Sequence, residues 1–105
     1  MYRLGLAIPK NQSRSVSLSR KGCRLKEPWA CGNLGIHLLL GTGIKRDESA
    51  AIPLLRQACT AKDGESCYYL GIAYRDGKGV NSNKNEAGTF FSEGCDLKFK
   101  KACNP

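Results

Sequence analysis

The chain has 105 residues, of which 41% are hydrophobic and 25% charged, an ordinary make-up for one small soluble globular domain. Its formal net charge is +8, and it is placed unevenly, with Arg3, Lys10, Arg14, Arg20, Lys21, Arg24 and Lys26 all preceding the first acid, Glu27. No segment is built to span a membrane: the longest mostly apolar run, residues 34–44, contains His37 and three glycines and falls well short of the roughly 20 apolar residues required.

An acid-free start rich in Arg and Ser suits a solvated helix face, the plainer reading, as well as a mitochondrial presequence or a contact for anionic surfaces. It is not a secretory signal, because the apolar stretch Leu4 to Ile8 is cut off by Pro9 and Lys10. Six cysteines in so short a chain nevertheless point to a disulfide framework in an oxidising compartment. The expected setting is the periplasm or the cell exterior, with the mitochondrial intermembrane space as the alternative.

The cysteines define a repeat. Cys23, Cys59 and Cys95 are spaced by 36 residues, as are Cys31, Cys67 and Cys103. Laying residues 23–58 on 59–94 without a gap pairs Lys26 with Lys62, Leu34 with Leu70, Gly35 with Gly71, Ile36 with Ile72, Gly41 with Gly77, Gly43 with Gly79 and Ala51 with Ala87. Matches that fall mostly on apolar positions and glycines are what a packing unit repeated along a chain retains.

In chain order, residues 1–22 read as a degenerate partial repeat. Tyr2, Leu4, Gly5 and Ala7 echo Tyr68, Leu70, Gly71 and Ala73, but the G-x-G turn is missing. The following helix is poor, with Ser15 and Ser19 where Ala87 and Phe91 stand later. The unit 23–58 begins with helix A, on which Cys31, Leu34, Gly35 and Leu38 share one face at i, i+3, i+4 and i+7. Gly41-Thr42-Gly43-Ile44 ends it, the glycines allowing positive φ and Ile44 turning back to the core. Asp47 is an N-cap for helix B, whose apolar face is Ala51, Leu54, Leu55, Ala58 and Cys59, and Pro53 predicts a kink or a later start. The unit 59–94 repeats this with Cys67, Leu70, Gly71 and Tyr74, then Gly77-Lys78-Gly79-Val80, then Asn83 capping Ala87, Phe90, Phe91, Gly94 and Cys95. Residues 95–105 start a further, truncated unit.

Eight residues along one straight helix would hold two Cα atoms about 12 Å apart, beyond the roughly 7 Å reach of a disulfide. A turn therefore lies between the cysteines of each pair, and Pro28 and Gly64, at equivalent positions, are expected to supply it. Of 15 connectivities the repeat selects Cys23–Cys31, Cys59–Cys67 and Cys95–Cys103, each tying the end of helix B to the start of the next helix A. In the chain-entropy description a nine-residue loop contributes about 2.6 kcal/mol. The expected fold is all-α: an α/α solenoid of 36-residue helical hairpins stapled by C-x7-C disulfides.

The segments NLGIHLLLGTGI with AAIPLLRQAC, and YYLGIAYRDGKGV with EAGTFFSEGC, resemble the Sel-like repeat (SLR) family, and more narrowly its Helicobacter cysteine-rich type. The resemblance spans residues 23–103. With neither end capped, as a solenoid requires, it suggests a segment of a longer exported protein. It implies a TPR-like scaffold for protein interaction and, since some cysteine-rich relatives are described as penicillin-binding or weakly β-lactam-hydrolysing, a β-lactamase as the alternative. The residues for that chemistry are missing from the sequence. S-D-N and K-T-G do not occur, and the nearest string to S-x-x-K is Thr42-Gly43-Ile44-Lys45.

Metal binding is disfavoured, because structural zinc sites use C-x2-4-C knuckles, so no cofactor is expected. Catalysis by His37 lacks an identifiable nucleophile or orienting partner in the sequence, and it aligns with Ala73. No zinc-finger, RNP or helix-turn-helix pattern accompanies the basic start, so no nucleic-acid partner is expected. The repeat offers a concave groove lined by the first helices of stacked hairpins. Trp29, Asn33 and His37 follow each other at i, i+4 and i+8 on one helix A, and Glu65 and Tyr69 take the first two of those places on the next. These side chains vary while the core positions repeat. They are the candidate contacts for a protein or peptide partner, with a β-lactam or cell-wall fragment as the second ligand class. The alternative is that Trp29 packs at a helix start while Tyr68 and Tyr69 fill the inter-repeat core.

Overall fold

The computed structural model describes residues 7–105, with side chains from Gln12 onward; Tyr2, Leu4 and Gly5 and the side chain of Ala7, expected to echo a helix A, lie outside the described part. Six helices follow in order: α1 (Ala7–Arg24), α2 (Pro28–Leu40), α3 (Glu48–Thr60), α4 (Gly64–Asp76), α5 (Lys84–Asp96) and α6 (Lys100–Cys103). Each packs against its neighbours in sequence, and α2 touches α4 as α4 touches α6. The helices A thus form one row and the helices B, α1, α3 and α5, a second. This is an all-α solenoid of helical hairpins.

The hairpin turns follow the glycines. Gly41 and Gly43 have φ of 73° and 76°, and Gly77 and Gly79 have 70° and 77°. Gly41 and Gly77 end helices α2 and α4 in the left-handed conformation, their N–H groups returning to the carbonyls of His37 and Ala73. The second glycine of each turn has a further duty. A Cβ on Gly43 would lie 2.7 Å from the Gln12 carbonyl on α1, and one on Gly79 would strike the Glu48 carbonyl on α3. Gln12 and Glu48 are themselves 36 residues apart, so α1 is already in repeat register there.

The N-caps form as expected, with Asp47 accepting from the Ala50 N–H and Asn83 from the Glu86 N–H, both at 3.1 Å. Pro53 neither delays nor breaks α3, which runs unbroken from Glu48. The proline stands one turn inside the helix on its exposed side, and the carbonyl it leaves without an intrahelical donor belongs to exposed Ser49. The core lies between the rows, where Leu39, Ala51, Leu55, Leu70 and Ala73 are at most 1% exposed. Each buried leucine contributes roughly 1.5–3 kcal/mol.

All three disulfides join the expected partners, with Cα separations of 4.4, 4.7 and 4.6 Å for Cys23–Cys31, Cys59–Cys67 and Cys95–Cys103. The turn inside each pair is not made where it was expected. Pro28 and Gly64 are the first residues of α2 and α4, whereas the chain reverses at Lys26, Lys62 and Lys98, whose φ are 65°, 73° and 72°. Each lysine follows a helix B end, and the next N–H reaches back five residues: Glu27 to Gly22, Asp63 to Ala58 and Phe99 to Gly94, each at 3.0 Å. That is a Schellman closure with lysine in the place glycine usually takes. Gly64 serves close packing instead, since a Cβ there would lie 3.1 Å from Leu97.

Candidate recognition groove

The helices A present one stripe each to the open side of their row. On α2 the stripe begins with Trp29 and Asn33, and continues at the next helical spacings with Ile36 and Leu40. Trp29 is 56% and Leu40 46% exposed, while Asn33 and Ile36 are half-buried. On α4 the matching stripe is Glu65, Tyr69, Ile72 and Asp76. Extending the i, i+4 pair to i+7 and i+11 would have found Ile36, Leu40, Ile72 and Asp76 from the sequence.

Small residues bring the two stripes together. Gly32 faces α3 and α4, and a Cβ on it would sit 2.8 Å from the Asp63 carboxylate and 2.9 Å from Ala58. Ser66, fully buried beside it, donates to Asp63 Oδ2 at 2.6 Å. At the mouth, Pro28 and Trp29 line a shallow cleft with Ala61, Lys62 and Asp63. An exposed indole beside a backbone turn is a good anchor for a partner side chain.

Tyr69 is half-buried against the core and meets Tyr68 edge-on at a centroid distance of 5.2 Å. Burial first, then the neighbouring Glu65 carboxylate and the Tyr68 phenol, raise its phenol above its ordinary pKa. It therefore faces the groove as a neutral hydroxyl. Tyr68 is a packing residue, within 5.8 Å of Phe91 and 5.3 Å of Phe99 across α5 and the start of α6. At the far end Arg75 donates to both oxygens of Asp76, at 3.0 and 3.2 Å, and holds that carboxyl below its usual range.

His37 is turned out of the stripe toward α1. Its Nδ1 lies 2.8 Å from the Thr42 carbonyl, which can only accept, so Nδ1 carries the proton and the Ser15 hydroxyl donates to Nε2 at 3.1 Å. A serine, a histidine and an orienting carbonyl are thus aligned, the partners that sequence reasoning left unplaced. Ser15 and His37, however, stand one repeat before Ala51 and Ala73, two fully buried alanines of the core. The pair is the polar counterpart of that packing contact.

The sulfurs of Cys59 and Cys67 and a Glu93 carboxylate oxygen lie within 4.8 Å of one another. Joined in a disulfide, neither sulfur is the thiolate through which cysteine binds metal. Among the described residues no helix is long and apolar enough to cross a membrane.

Two rows of short helices, an open stripe on the helix A row and a staple at every return from a helix B to the next helix A define the class: a disulfide-stapled α/α repeat scaffold. The sequence profile of the Sel1 repeat matches residues 1–26, 30–63 and 64–103, and the chain belongs to that family. The second and third matches begin at or near the start of helices α2 and α4, whereas the cysteine phase counts the repeat from the staple.

Among solved structures, a Sel1 repeat protein from Oxalobacter formigenes superposes with a TM-score of 0.77 at 23% identity, over 87% of this chain and 37% of that one. The protective antigen c5321 of uropathogenic Escherichia coli, which has an SLR fold, gives 0.79 at 25% identity over 88% and 20%. Helicobacter pylori cysteine rich protein B gives 0.73 at 31% identity over 84% and 66%. The chain thus spans between a fifth and two thirds of these relatives. No curated protein sequence matches it.

Proposed function

We propose that the chain is a protein-interaction module that holds a peptide or protein segment along the helix A row, with Trp29, Asn33, Glu65 and Tyr69 as its principal contacts. The observation that carries this is Trp29, a large apolar side chain left 56% exposed at the mouth of a groove whose neighbouring core positions are closed. Variable side chains over a repeated core support the same reading. The mixture of Trp29, Ile36 and Leu40 on α2 with Glu65 and Asp76 on α4 suits a segment carrying apolar and basic side chains.

The three disulfides support an oxidising compartment as the working environment, and with it the reading of an exported bacterial protein, or part of one, of the cysteine-rich branch of the family. β-Lactam handling is the weaker reading, because neither the sequence motifs nor the Ser15–His37 contact supplies a site for it. Turnover of nitrocefin by the oxidised protein would reverse that ranking.

The direct test selects binders from a displayed peptide library against the oxidised chain and measures their affinity for variants. Trp29→Ala and Tyr69→Ala should each weaken a groove-binding peptide at least tenfold, with unchanged helical circular dichroism. Unaltered affinity in both variants would place the binding surface elsewhere.

A further inference from the structure

The outer row carries a charge pattern for which groove binding has no use. Four positions recur on its outward side. They are Arg14, Arg20, Lys21 and Arg24 in α1, then Ala50, Arg56, Gln57 and Thr60 in α3, then Glu86, Ser92, Glu93 and Asp96 in α5. From one end of the row to the other, equivalent sites pass from all cationic to mostly acidic. α1 contains no acidic residue, and Arg14, Arg20, Lys21 and Arg24 are exposed and form no salt bridge among the described residues.

Two leucines border this sector. Arg14, Leu18, Lys21 and Leu25 follow at i, i+4, i+7 and i+11, one stripe of the helix continued into its terminal turn. Leu18 is 61% and Leu25 72% exposed. The residues one and two repeats after Leu18, Leu54 and Phe90, are half-buried. Three of the four large hydrophobic residues left exposed in the described chain, Leu18, Leu25 and Trp29, therefore fall within twelve residues, interleaved with Arg20, Lys21, Arg24 and Lys26.

We propose that α1 docks on a bilayer rich in anionic phospholipid. The side chains of Arg14, Arg20, Lys21 and Arg24 meet the lipid phosphates, and Leu18 and Leu25 enter the headgroup layer beside them, as in interfacial amphipathic helices. Glu86, Glu93 and Asp96 are repelled from the same surface, so the solenoid is held by its α1 end with α5 away from the membrane. A nucleic acid would satisfy the cations but has no use for the leucines. Pairing α1 with α5 of a second copy would match the signs, but exposed ion pairs contribute little against the cost of association.

The test is flotation of the full oxidised chain with vesicles of phosphatidylcholine alone and of phosphatidylcholine mixed with phosphatidylglycerol. Binding is expected only to the anionic vesicles, and it should be released as salt shortens the screening length toward about 3 Å. Neutralising Arg20, Lys21 and Arg24 together to Gln should weaken partition on the order of 100-fold. The pair Leu18→Ser with Leu25→Ser should weaken it about tenfold. All five side chains are exposed, so helical circular dichroism should be unchanged, and the salt dependence of the unaltered chain gives a reading that needs no variant. Equal binding to neutral vesicles, no binding to anionic ones, or insensitivity to the leucine pair would overturn the proposal. So would heparin binding that equals vesicle binding and ignores the leucines.

Discussion

Lysine in a left-handed backbone at Lys26, Lys62 and Lys98 shows how much of a turn can be visible in a sequence and still be assigned to the wrong residue. The Lys26/Lys62 identity is plain in the repeat alignment, yet the turn was expected at Pro28 and Gly64, the residues whose backbone chemistry most often signals one. A left-handed φ costs an ordinary residue about 1–2 kcal/mol, and glycine avoids it at some expense in unfolded-chain entropy. Lys62→Gly should therefore stabilise the oxidised protein by about 0.5–1 kcal/mol. Gly79→Ala should do the reverse by more than about 2 kcal/mol, because it combines positive φ with a Cβ pressed on the Glu48 carbonyl. Urea unfolding of both variants tests the pair, and a stabilising Gly79→Ala would refute the role given to the second glycine. The surroundings of His37 depend on contacts that spacing does not carry. Its helical spacing placed it with Trp29 and Asn33, but Ser15 and Thr42, distant in sequence or outside the helix, draw the ring to the other side.

At the scale of helices, most of the fold was legible. Periodicity, Asp47 and Asn83 as caps, and the paired glycines set α2 to α5, because these signals are local. Pro53 does not delay the helix start, because its consequence depends on exposure: with Ser49 and Pro53 both facing solvent, one missing helix bond does not end α3. The same dependence on exposure orders the disulfides. Cys59 and Cys67 are 5% and 0% exposed between α3 and α4, whereas Cys103 is exposed in the four-residue α6. Titration with a mild reductant, followed by alkylation and peptide mapping, should label Cys95 and Cys103 first and Cys59 and Cys67 last. Simultaneous labelling of all six would mean that reduction proceeds through global unfolding rather than by access to each sulfur.

In the whole molecule, stability is close to a sum over neighbouring helices, since each touches only those beside it. The terms are not equal. Where α3 brings Ala51, Leu55 and Ala58 to the core, α1 brings Ser15, Ser19 and Gly22, one repeat earlier at every position. The register is kept, with Gly22 against Ala30 and Ser15 on His37, but far less apolar surface is removed from water. The Cys23–Cys31 staple ties the end of α1 to α2 without adding to the packing along its length. The amides of α1 should therefore exchange with deuterium faster than those of α3 and α4 in the oxidised protein at neutral pH. Selective opening of Cys23–Cys31 should widen that gap while leaving α4 unchanged. If α1 proves as protected as α3, the serine and histidine contacts hold it as firmly as leucine does elsewhere, and the solenoid opens as one unit rather than from its serine-lined end.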